Sequence, residues 1–336
     1  MSNLLRYFAL ALVALLAACT PQTPYRQVQG VMLGTTLQVV AATSTQEGEL
    51  YRGAMVLDRE AKASMSVFEP NSLLNRLNRN ETDSVDRHIA RNIALADSIS
   101  RLSEGAYDIT VGPLVKAWGF AGKEAETDPN VDSILAFVGY EKIAVREGRL
   151  HKEDPRIALD LNSIAKGYTV DLLGEWLEAQ GITHYLVDIG GEVRCRGLNR
   201  SGGAWRIGIE TPYDGNMTNG ESLTARIALH DGALATSGNY RRFYLDSEGR
   251  KVAHTIDPTT GYSRLSRLLS ATVAAKSCAE ADALCTMLMA MGDKQALAFV
   301  EAHPEMAAYL ILADEKGEGY DEVWSPAMKK LKIETN

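Results

Sequence analysis

The stretch from Ala158 to Gly197 constrains the fold more than any other part of the chain. It reads as an acidic turn, an amphipathic helix, a strand and a glycine pair. Asn162 or Ser163 is suited to cap the helix, and Gly181 to end it. The helix carries one apolar stripe with a four-residue spacing, formed by Ile164, Tyr168, Leu172 and Trp176. We therefore predict a helix that buries this stripe in a core.

Lys166 lies in or near the first turn of this predicted helix. Unpaired backbone N–H groups and the helix dipole already present positive charge there, so a lysine is disfavoured unless an anion meets it. A bound phosphate is one such anion. The alternative is a solvated lysine, or one paired with Asp160 or Asp171.

The strand after this helix ends in the pair Gly190-Gly191. Two glycines allow another backbone or a flat ligand to approach where a side chain would block it. The alternative is a simple tight turn.

A second informative helix begins at Ser277, which has the spacing of a capping box with Glu280, and ends at Gly292. Its residues are apolar nearly all round, so we predict that it is buried. Asp282 and Thr286 share one face of it. Oxygen ligands of this kind suit Mg²⁺, which commonly adds waters and substrate phosphates to one or two carboxylates. The alternative is a buried hydrogen bond between these two side chains.

The N-terminus has the form of a lipoprotein signal. Residues 1–18 contain an apolar run, Tyr7–Leu16, that is too short to span a bilayer, and small residues precede Cys19. We predict cleavage before Cys19 and its lipidation. Residues 19–25 then form a lipidated tether, and residues 26–336 form one catalytic domain.

Composition excludes several classes of protein. The net charge of −8 has no acidic or basic blocks, so nucleic acid is not an expected partner. We expect no other stretch to be long and apolar enough to cross a membrane. Cys278 and Cys285 lie about 10 Å apart along a helix and cannot form a disulfide with each other.

Strands and helices alternate without regular βαβ spacing, and no dinucleotide or phosphate-binding glycine motif occurs, which favours an α+β fold without a Rossmann domain.

Other segments carry candidate site residues. Arg26–Ala42 alternates apolar and polar residues and predicts a hairpin that presents Met32. Phe68 lies in a loop between two predicted helices, and Gly105–Pro113 places an aromatic residue beside an acid. His254 stands before a rigid Asp-Pro turn, and it is the one histidine with an indicated role.

Motifs spread over nearly the whole mature chain resemble the FAD:protein FMN transferase family, often called ApbE. They are Met32–Thr35, Ser66–Phe68, Gly105–Thr110, Leu159–Tyr168, Gly190–Glu192, Thr236–Tyr240, His254–Tyr262 and Ala281–Thr286. Their number and order make a chance match implausible. The resemblance implies an ApbE-like, T-fold-like arrangement of mixed sheets with packed helices.

The resemblance also implies two ligands, FAD and Mg²⁺. The FAD-binding positions are Met32, Phe68, Ala106, Tyr107, Asp108, Asp160, Lys166 and Ile256. The implied ligands of Mg²⁺ are Asp282, Thr286 and the backbone carbonyl of Ser163. Two departures from the family pattern occur: Asn162-Ser163 replaces the more frequent Gly-Ala, and Phe68 replaces Tyr or Trp.

The implied activity is transfer of FMN from FAD to a threonine or serine hydroxyl of an acceptor flavoprotein, with release of AMP. Mg²⁺ and Lys166 would neutralise the pyrophosphate, and His254 is the candidate base. The expected acceptors are flavoprotein subunits of membrane redox complexes. The alternatives are an FAD pyrophosphatase and a non-catalytic FAD-binding lipoprotein.

The expected location is the periplasmic side of the inner membrane, reached through the lipid anchor. Thr20 stands where aspartate commonly signals retention in the inner membrane, so the outer membrane is the alternative.

Overall fold

The structure is a computed structural model that describes residues 23–120, 129–212, 222–239, 243–245, 251–253, 255–264, 266–314 and 319–333. The predicted signal segment, Cys19 and His254 lie outside the described residues.

The described part of the chain contains both helices and strands. The helices are α1 (Glu47–Met65), α2 (Leu73–Asn78), α3 (Arg87–Leu102), α4 (Gly112–Ala117), α5 (Val131–Leu135), α6 (Ala165–Ala179), α7 (Cys278–Ala302) and α8 (Pro326–Lys329). The strands are β1 (Tyr25–Met32), β2 (Thr35–Ala42), β3 (Ile143–Arg146), β4 (Arg149–Lys152), β5 (Tyr185–Ile189), β6 (Glu192–Arg196), β7 (Trp205–Glu210), β8 (Leu223–Leu229), β9 (Gly232–Gly238), β10 (Phe243–Leu245), β11 (Lys251–Ala253), β12 (Leu268–Ala275), β13 (Ala307–Ala313) and β14 (Tyr320–Trp324).

One eight-stranded sheet organises the fold. Its strand order is β1-β2-β5-β6-β9-β12-β13-β14. Every neighbouring pair in it is antiparallel. Three two-stranded hairpins, β3-β4, β7-β8 and β10-β11, lie outside it. Because dinucleotide-binding folds need parallel strands joined by crossover helices, this topology confirms the predicted α+β class without a Rossmann domain in the described chain.

Both faces of the central sheet are covered, and strand β13 shows how. Its residues alternate between two apolar clusters, as the two-residue period of a strand requires. Leu310 and Leu312 pack in the cluster that contains the apolar residues of α7. Tyr309 and Ile311 pack against the β7-β8 hairpin on the other side. Helices therefore cover one face of the sheet, and a hairpin covers the other.

Helices α6 and α7 approach each other closely at their N-terminal ends. A Cβ atom on Gly167 would lie 2.3 Å from the carbonyl oxygen of Cys278 and 2.6 Å from its carbonyl carbon. Only glycine allows this backbone contact, because any side chain would meet atoms that cannot rotate away. The first turns of the two predicted site helices are therefore neighbours.

The predicted cap of α6 was wrong. Its N-cap is Ile164, which forms no side-chain cap bond. Asn162 is exposed, and the Ser163 hydroxyl instead lies 2.8 Å from the Tyr107 hydroxyl. The end of the helix is as predicted, with Gly181 at φ 78°.

The capping of α7 is confirmed, whereas its end differs. The Ser277 hydroxyl accepts a hydrogen bond from the Glu280 N–H at 3.2 Å. Gly292 has non-helical dihedrals, φ 72° and ψ 177°, but a second helical segment follows it directly. The glycine therefore produces a kink, a known cause of sharp bends, and the helix runs on to Ala302.

Several extended segments were not predicted, namely β6, β9, β12, β13 and β14. The sequence of β9, Gly-Ala-Leu-Ala-Thr-Ser-Gly, is small and buried towards both sides, so it lacks the alternation that indicates a strand.

Helix α7 corrects the expectation that only the N-terminal segment is apolar enough to cross a membrane. Among the described residues it alone passes a test of length and composition, with a mean hydropathy of 1.2. However, 61% of the tested window is buried within the fold. It therefore behaves as a core helix. The cysteines at 195, 278 and 285 are buried and free, which agrees with the absence of a bridge within this helix.

Candidate functional site

Lys166 is the second residue of α6, as predicted, and it pairs with Glu192, the first residue of β6. Their Nζ and Oε2 atoms are 2.5 Å apart. The Glu192 side chain is 3% exposed and that of Lys166 is 35% exposed, so the lysine side chain is partly accessible while its partner is buried. The predicted alternative partners, Asp160 and Asp171, were wrong. Asp171 is instead bonded to Arg194 and to α7.

Two carboxylates keep Lys166 charged. Burial opposes the ammonium charge, but Glu192 and then Asp282 raise its pKa above the ordinary value. A lysine with a raised pKa holds its positive charge at neutral pH. It is therefore suited to bind an anion at the first turn of the helix.

Asp282 lies beside this pair, on the second turn of α7. Its carboxylate is 5% exposed, and its Oδ2 accepts a hydrogen bond from the Gly167 N–H at 3.0 Å. Burial, followed by the charge of Glu192, raises the pKa of Asp282 to about 8. One lysine therefore faces two acids, and with both ionised the cluster has a surplus negative charge that a cation would neutralise.

Thr286 lies one helical turn after Asp282 and close to β9. Its hydroxyl is 3.3 Å from the hydroxyl of Ser237. Asp282 accepts a hydrogen bond from the backbone of Gly167, and Thr286 is paired with Ser237. The alternative prediction, a buried hydrogen bond between Asp282 and Thr286 alone, therefore does not describe the partners of these two side chains.

Ser163 immediately precedes Ile164, the N-cap residue of α6, and its backbone carbonyl lies outside the hydrogen bonds of that helix. In a regular helix this carbonyl would accept from the N–H of Gly167, but that N–H donates to Asp282. Within α6 and its N-cap, the first backbone hydrogen bond of the α-helical type is instead accepted by the carbonyl of Ile164, from the N–H of Tyr168. No residue that the structure describes donates a hydrogen bond to the Ser163 carbonyl. Its side chain is held by the buried hydroxyl of Tyr107 at 2.8 Å, and burial raises the pKa of that phenol.

These oxygen donors are compatible with Mg²⁺. Within the described ranges, no group of three or more His, Cys, Asp or Glu side chains could hold a metal ion. A Mg²⁺ site here would instead combine the Asp282 carboxylate with the Thr286 hydroxyl, the Ser163 carbonyl, waters and phosphate oxygens. Such mixed oxygen sites with few carboxylates are typical of Mg²⁺.

Asp108 and Asp160 stabilise two adjacent turns. Asp108 Oδ1 accepts from the N–H and the hydroxyl of Thr110, each at 2.7 Å. Asp160 Oδ1 accepts from the Asn162 N–H at 2.8 Å, and its own N–H donates to the Ile109 carbonyl. Burial raises the pKa of both carboxyl groups. The structure thus joins the predicted Ala106–Asp108 segment to the turn that precedes Lys166.

The other predicted flavin positions lie on separate elements. Met32 is fully buried and shares an apolar cluster with Cys278, the first residue of α7. Ala106 is half-buried, Phe68 is 57% exposed on its loop, and Ile256 is 5% exposed. Ile256 packs in a small cluster with residues of α4 and α5.

The predicted base, His254, lies outside the described residues, but the turn after it is well ordered by its contacts. Asp257 Oδ1 accepts from the Thr259 N–H at 2.9 Å, and its Oδ2 pairs with Arg264 at 2.5 Å. The rigid turn predicted from Asp257-Pro258 is therefore confirmed.

Glu192 and Ser237 are the site residues to which no role was given from the sequence. Glu192 follows the glycine pair at 190 and 191 and is buried, although the alternation of β6 places it on the same side as Arg194 and Arg196. The sequence carries no signal of this burial, because alternation predicts a polar face there. Ser237 carries no signal either, because its pairing with Thr286 depends on how β9 packs against α7.

Comparisons with known proteins agree with this geometry. The sequence profile of the ApbE family matches residues 33–310. The chain belongs to the ApbE family. One ApbE relative, named FAD:protein FMN transferase, from Vibrio cholerae, is 37% identical, and the alignment covers 96% of this chain and 97% of that protein. Another of the same name, from Haemophilus influenzae, is 36% identical with 96% of each chain covered.

Solved ApbE structures share the fold. The flavin transferase ApbE from Vibrio cholerae superposes with a TM-score of 0.80 at 34% identity, over 92% of this chain and 100% of that one. The apo form of the Pseudomonas stutzeri flavinyl transferase ApbE gives a TM-score of 0.82 at 28% identity, over 93% and 98%. The ApbE-like architecture implied by the sequence motifs is thereby confirmed.

Proposed function

We propose that this protein is an FAD:protein FMN transferase, an enzyme that moves FMN from FAD to a side chain of another protein. The names of its ApbE relatives support a transferase with FAD as the donor. The observation that carries the proposal is the cluster of Lys166, Glu192 and Asp282 beside the unpaired carbonyl of Ser163. Such a cluster offers one cation and several oxygen donors, which is what a pyrophosphate and its metal ion need.

Asp282, Thr286 and the Ser163 carbonyl would hold Mg²⁺ together with phosphate oxygens. The chemistry that the ion supplies there is neutralisation of charge on the pyrophosphate. Asp282 contributes this ligand only as a carboxylate, so its proton must leave when the ion binds. Gly167 orients the carboxylate through its N–H.

Lys166 would bind an oxygen of the same pyrophosphate. Its ammonium group lies at the N-terminal end of α6, where backbone N–H groups add to its positive field. Glu192 holds the ammonium group on one side and leaves its other donors for the ligand. Charge that develops in transfer is thereby stabilised by groups that are already in place.

In the proposed reaction, a hydroxyl oxygen of the acceptor protein attacks the phosphorus of the FMN half of FAD. A new P–O bond forms, the bond to the AMP phosphate breaks, and AMP leaves. The hydroxyl proton passes to a base, for which His254 is our candidate because it precedes the ordered turn at Asp257. We infer threonine or serine as the acceptor residue from the family resemblance.

We further propose that the enzyme is anchored through a lipid on Cys19 and faces the periplasm from the inner membrane. The signal-like sequence of residues 1–18 supports this proposal. The tether at residues 19–25 spans at most about 3.5 Å per residue, so an acceptor must lie close to the same membrane. Flavoprotein subunits of membrane redox complexes meet that condition.

The decisive experiment incubates the full chain in detergent with FAD, Mg²⁺ and a candidate acceptor domain. We expect covalent flavin fluorescence on the acceptor in a denaturing gel, an FMN-sized mass gain, and release of one AMP per transfer. An acceptor in which the target threonine is replaced by alanine, and a reaction with EDTA, are the controls.

Two results would contradict the proposal. Free FMN and AMP without acceptor modification would indicate a pyrophosphatase. Tightly bound, unchanged FAD would indicate a binding protein.

A further inference from the structure

A second cluster of buried polar groups lies beneath the proposed site, and its centre is Asp171 on α6. Asp171 is 5% exposed. Its Oδ1 accepts from the backbone N–H of Cys278, and its Oδ2 from that of Ala279, each at 2.9 Å. These are the first two residues of α7. The carboxylate therefore caps a helix that begins 107 residues away along the chain.

Arg194 on β6 completes this cluster. Its Nη1 donates to Asp171 Oδ1 at 3.1 Å and its Nη2 to Glu178 Oε1 at 2.9 Å. Its Nε donates to the hydroxyl of Tyr185 at 3.1 Å. A Cβ on Gly174 would lie only 2.9 Å from the Arg194 side chain. The absence of a side chain at this helical glycine therefore leaves room for Arg194.

The two clusters are built on the same three elements. Helix α6 carries Lys166 and Asp171, and strand β6 carries Glu192 and Arg194. Helix α7 carries Asp282 one turn after the N–H groups that Asp171 accepts from. A shift of α7 relative to α6 that separates Asp282 from Lys166 would therefore also stretch the hydrogen bonds of Asp171.

We propose that Asp171 is a positioning residue of the transferase site, which holds α7, and with it Asp282, in register with Lys166 and Glu192. The proposal rests on the proposed function. Within the described part of the chain, Asp171 forms hydrogen bonds with Arg194, Cys278 and Ala279, and with none of the proposed metal ligands. It acts on Mg²⁺ affinity through the helix that it caps.

The chemistry of the cap supports this role. The first N–H groups of a helix have no partners within it, and Ser277 satisfies only that of Glu280. A carboxylate at this end is favoured by the helix dipole. The planar guanidinium group of Arg194 donates to Asp171 and to Glu178 at once and so fixes the orientation of the Asp171 carboxylate, which a lysine ammonium group cannot do.

The test compares Asp171→Asn with a matched loss of a helix cap elsewhere. Asparagine keeps one acceptor oxygen but loses the charge and the second acceptor. Asp86→Ala is the control, because Asp86 Oδ1 caps α3 through the Ile89 N–H at 2.9 Å and α3 carries no proposed site residue. Mg²⁺ affinity is measured by calorimetric titration into the FAD-loaded full chain, and stability by urea unfolding.

We expect Asp171→Asn to weaken Mg²⁺ binding about 10- to 100-fold, the range seen when groups that orient metal ligands are removed. Asp86→Ala should lower stability yet leave Mg²⁺ affinity within about twofold of the wild type, since α3 bears no ligand. Wild-type Mg²⁺ affinity in Asp171→Asn would overturn the proposal, and so would equal losses in both variants.

A second variant covers the case in which Asp171→Asn does not fold. Arg194→Lys keeps the charge but loses the paired bonds to Asp171 and Glu178, and we expect a smaller loss of Mg²⁺ affinity in the same direction. Wild-type affinity in a folded Arg194→Lys protein would also overturn the proposal. Failure of the proposed function is separate, because it would appear as wild-type protein that binds FAD and Mg²⁺ without modifying the acceptor.

Discussion

Replacing Gly167 by alanine tests the close contact on which the site depends. In an ordinary helix interior this change stabilises a protein by up to about 1 kcal/mol, because alanine loses less backbone entropy than glycine. Here the new Cβ would lie 2.3 Å from the Cys278 oxygen and 2.9 Å from the Ala279 nitrogen. Both are backbone atoms, so the clash is relieved only if α7 moves away.

The size of the effect follows from that geometry. An ordinary contact begins near 3.4 Å, so α7 must retreat by about 1 Å from Gly167. Overpacking of this kind costs about 1–3 kcal/mol. The hydrogen bond from Gly167 to Asp282, worth about 1 kcal/mol, would stretch as α7 moves and so cancel the gain in helix propensity. We expect a net loss of about 2 kcal/mol in the free energy of unfolding.

Urea unfolding followed by circular dichroism measures this loss, and Gly48→Ala is the matched control. Gly48 is the second residue of α1, and the nearest heavy atom to its Cβ position is the flexible end of Arg52 at 3.7 Å. The control should be stabilised by a few tenths to about 1 kcal/mol. The same Gly167→Ala protein should also need more Mg²⁺ for half-maximal transfer, since Asp282 moves with α7.

A Gly167→Ala protein as stable as the wild type would refute the reasoning. It would mean that α6 and α7 can separate at no cost, and that their contact does not set the site.

Three further predictions follow from the charged groups and the N-terminus. Lys166→Ala should weaken FAD binding about 10- to 100-fold, the worth of one charge-assisted hydrogen bond, and leave riboflavin binding nearly unchanged; equal losses in fluorescence titrations would place the lysine away from the phosphates. The pKa of Asp282 is raised to about 8 in the folded protein, so its protonation stabilises the metal-free protein fully below the unfolded pKa, and this stabilisation is lost as the pH rises through 8. Because Mg²⁺ needs the carboxylate, its calorimetric affinity should rise up to about tenfold per pH unit below 8 and level off above it, whereas a flat profile would exclude Asp282 as a ligand. Cys19→Ser should release the protein from the membrane without loss of activity on a soluble acceptor. Recovery of this variant in the membrane fraction would contradict the prediction that Cys19 is lipidated.

Local chemistry was enough to predict the two helices of the site. Lys166 falls in the first turn of α6 and Gly181 ends that helix, because periodicity and a glycine stop act over a few residues. The capping box at Ser277 also defined the start of α7. For the glycine pair at 190 and 191 the sequence left a close approach and a tight turn open, and the pair forms the turn between β5 and β6.

The partners of these residues could not be predicted in the same way. Nothing near Lys166 in the chain indicates Glu192, since nearby Asp160 and Asp171 were equally plausible and both were wrong. Strand β9 escaped prediction because its small residues are buried without alternation. Ser237 of this strand, which meets Thr286, escaped prediction with it.

The sequence by itself therefore determined where α6 ends and where α7 begins, that α7 is buried, and that the motifs belong to the ApbE family. The tertiary structure alone decided that Glu192 holds Lys166, that Asp171 caps α7, and that the Ser163 carbonyl stays unpaired because Gly167 donates to Asp282. The physical reason is the distance along the chain between the residues that interact. Capping and periodicity depend on neighbours within a turn or two, whereas a buried charge takes the partner that packing brings to it, and here that partner can lie more than a hundred residues away.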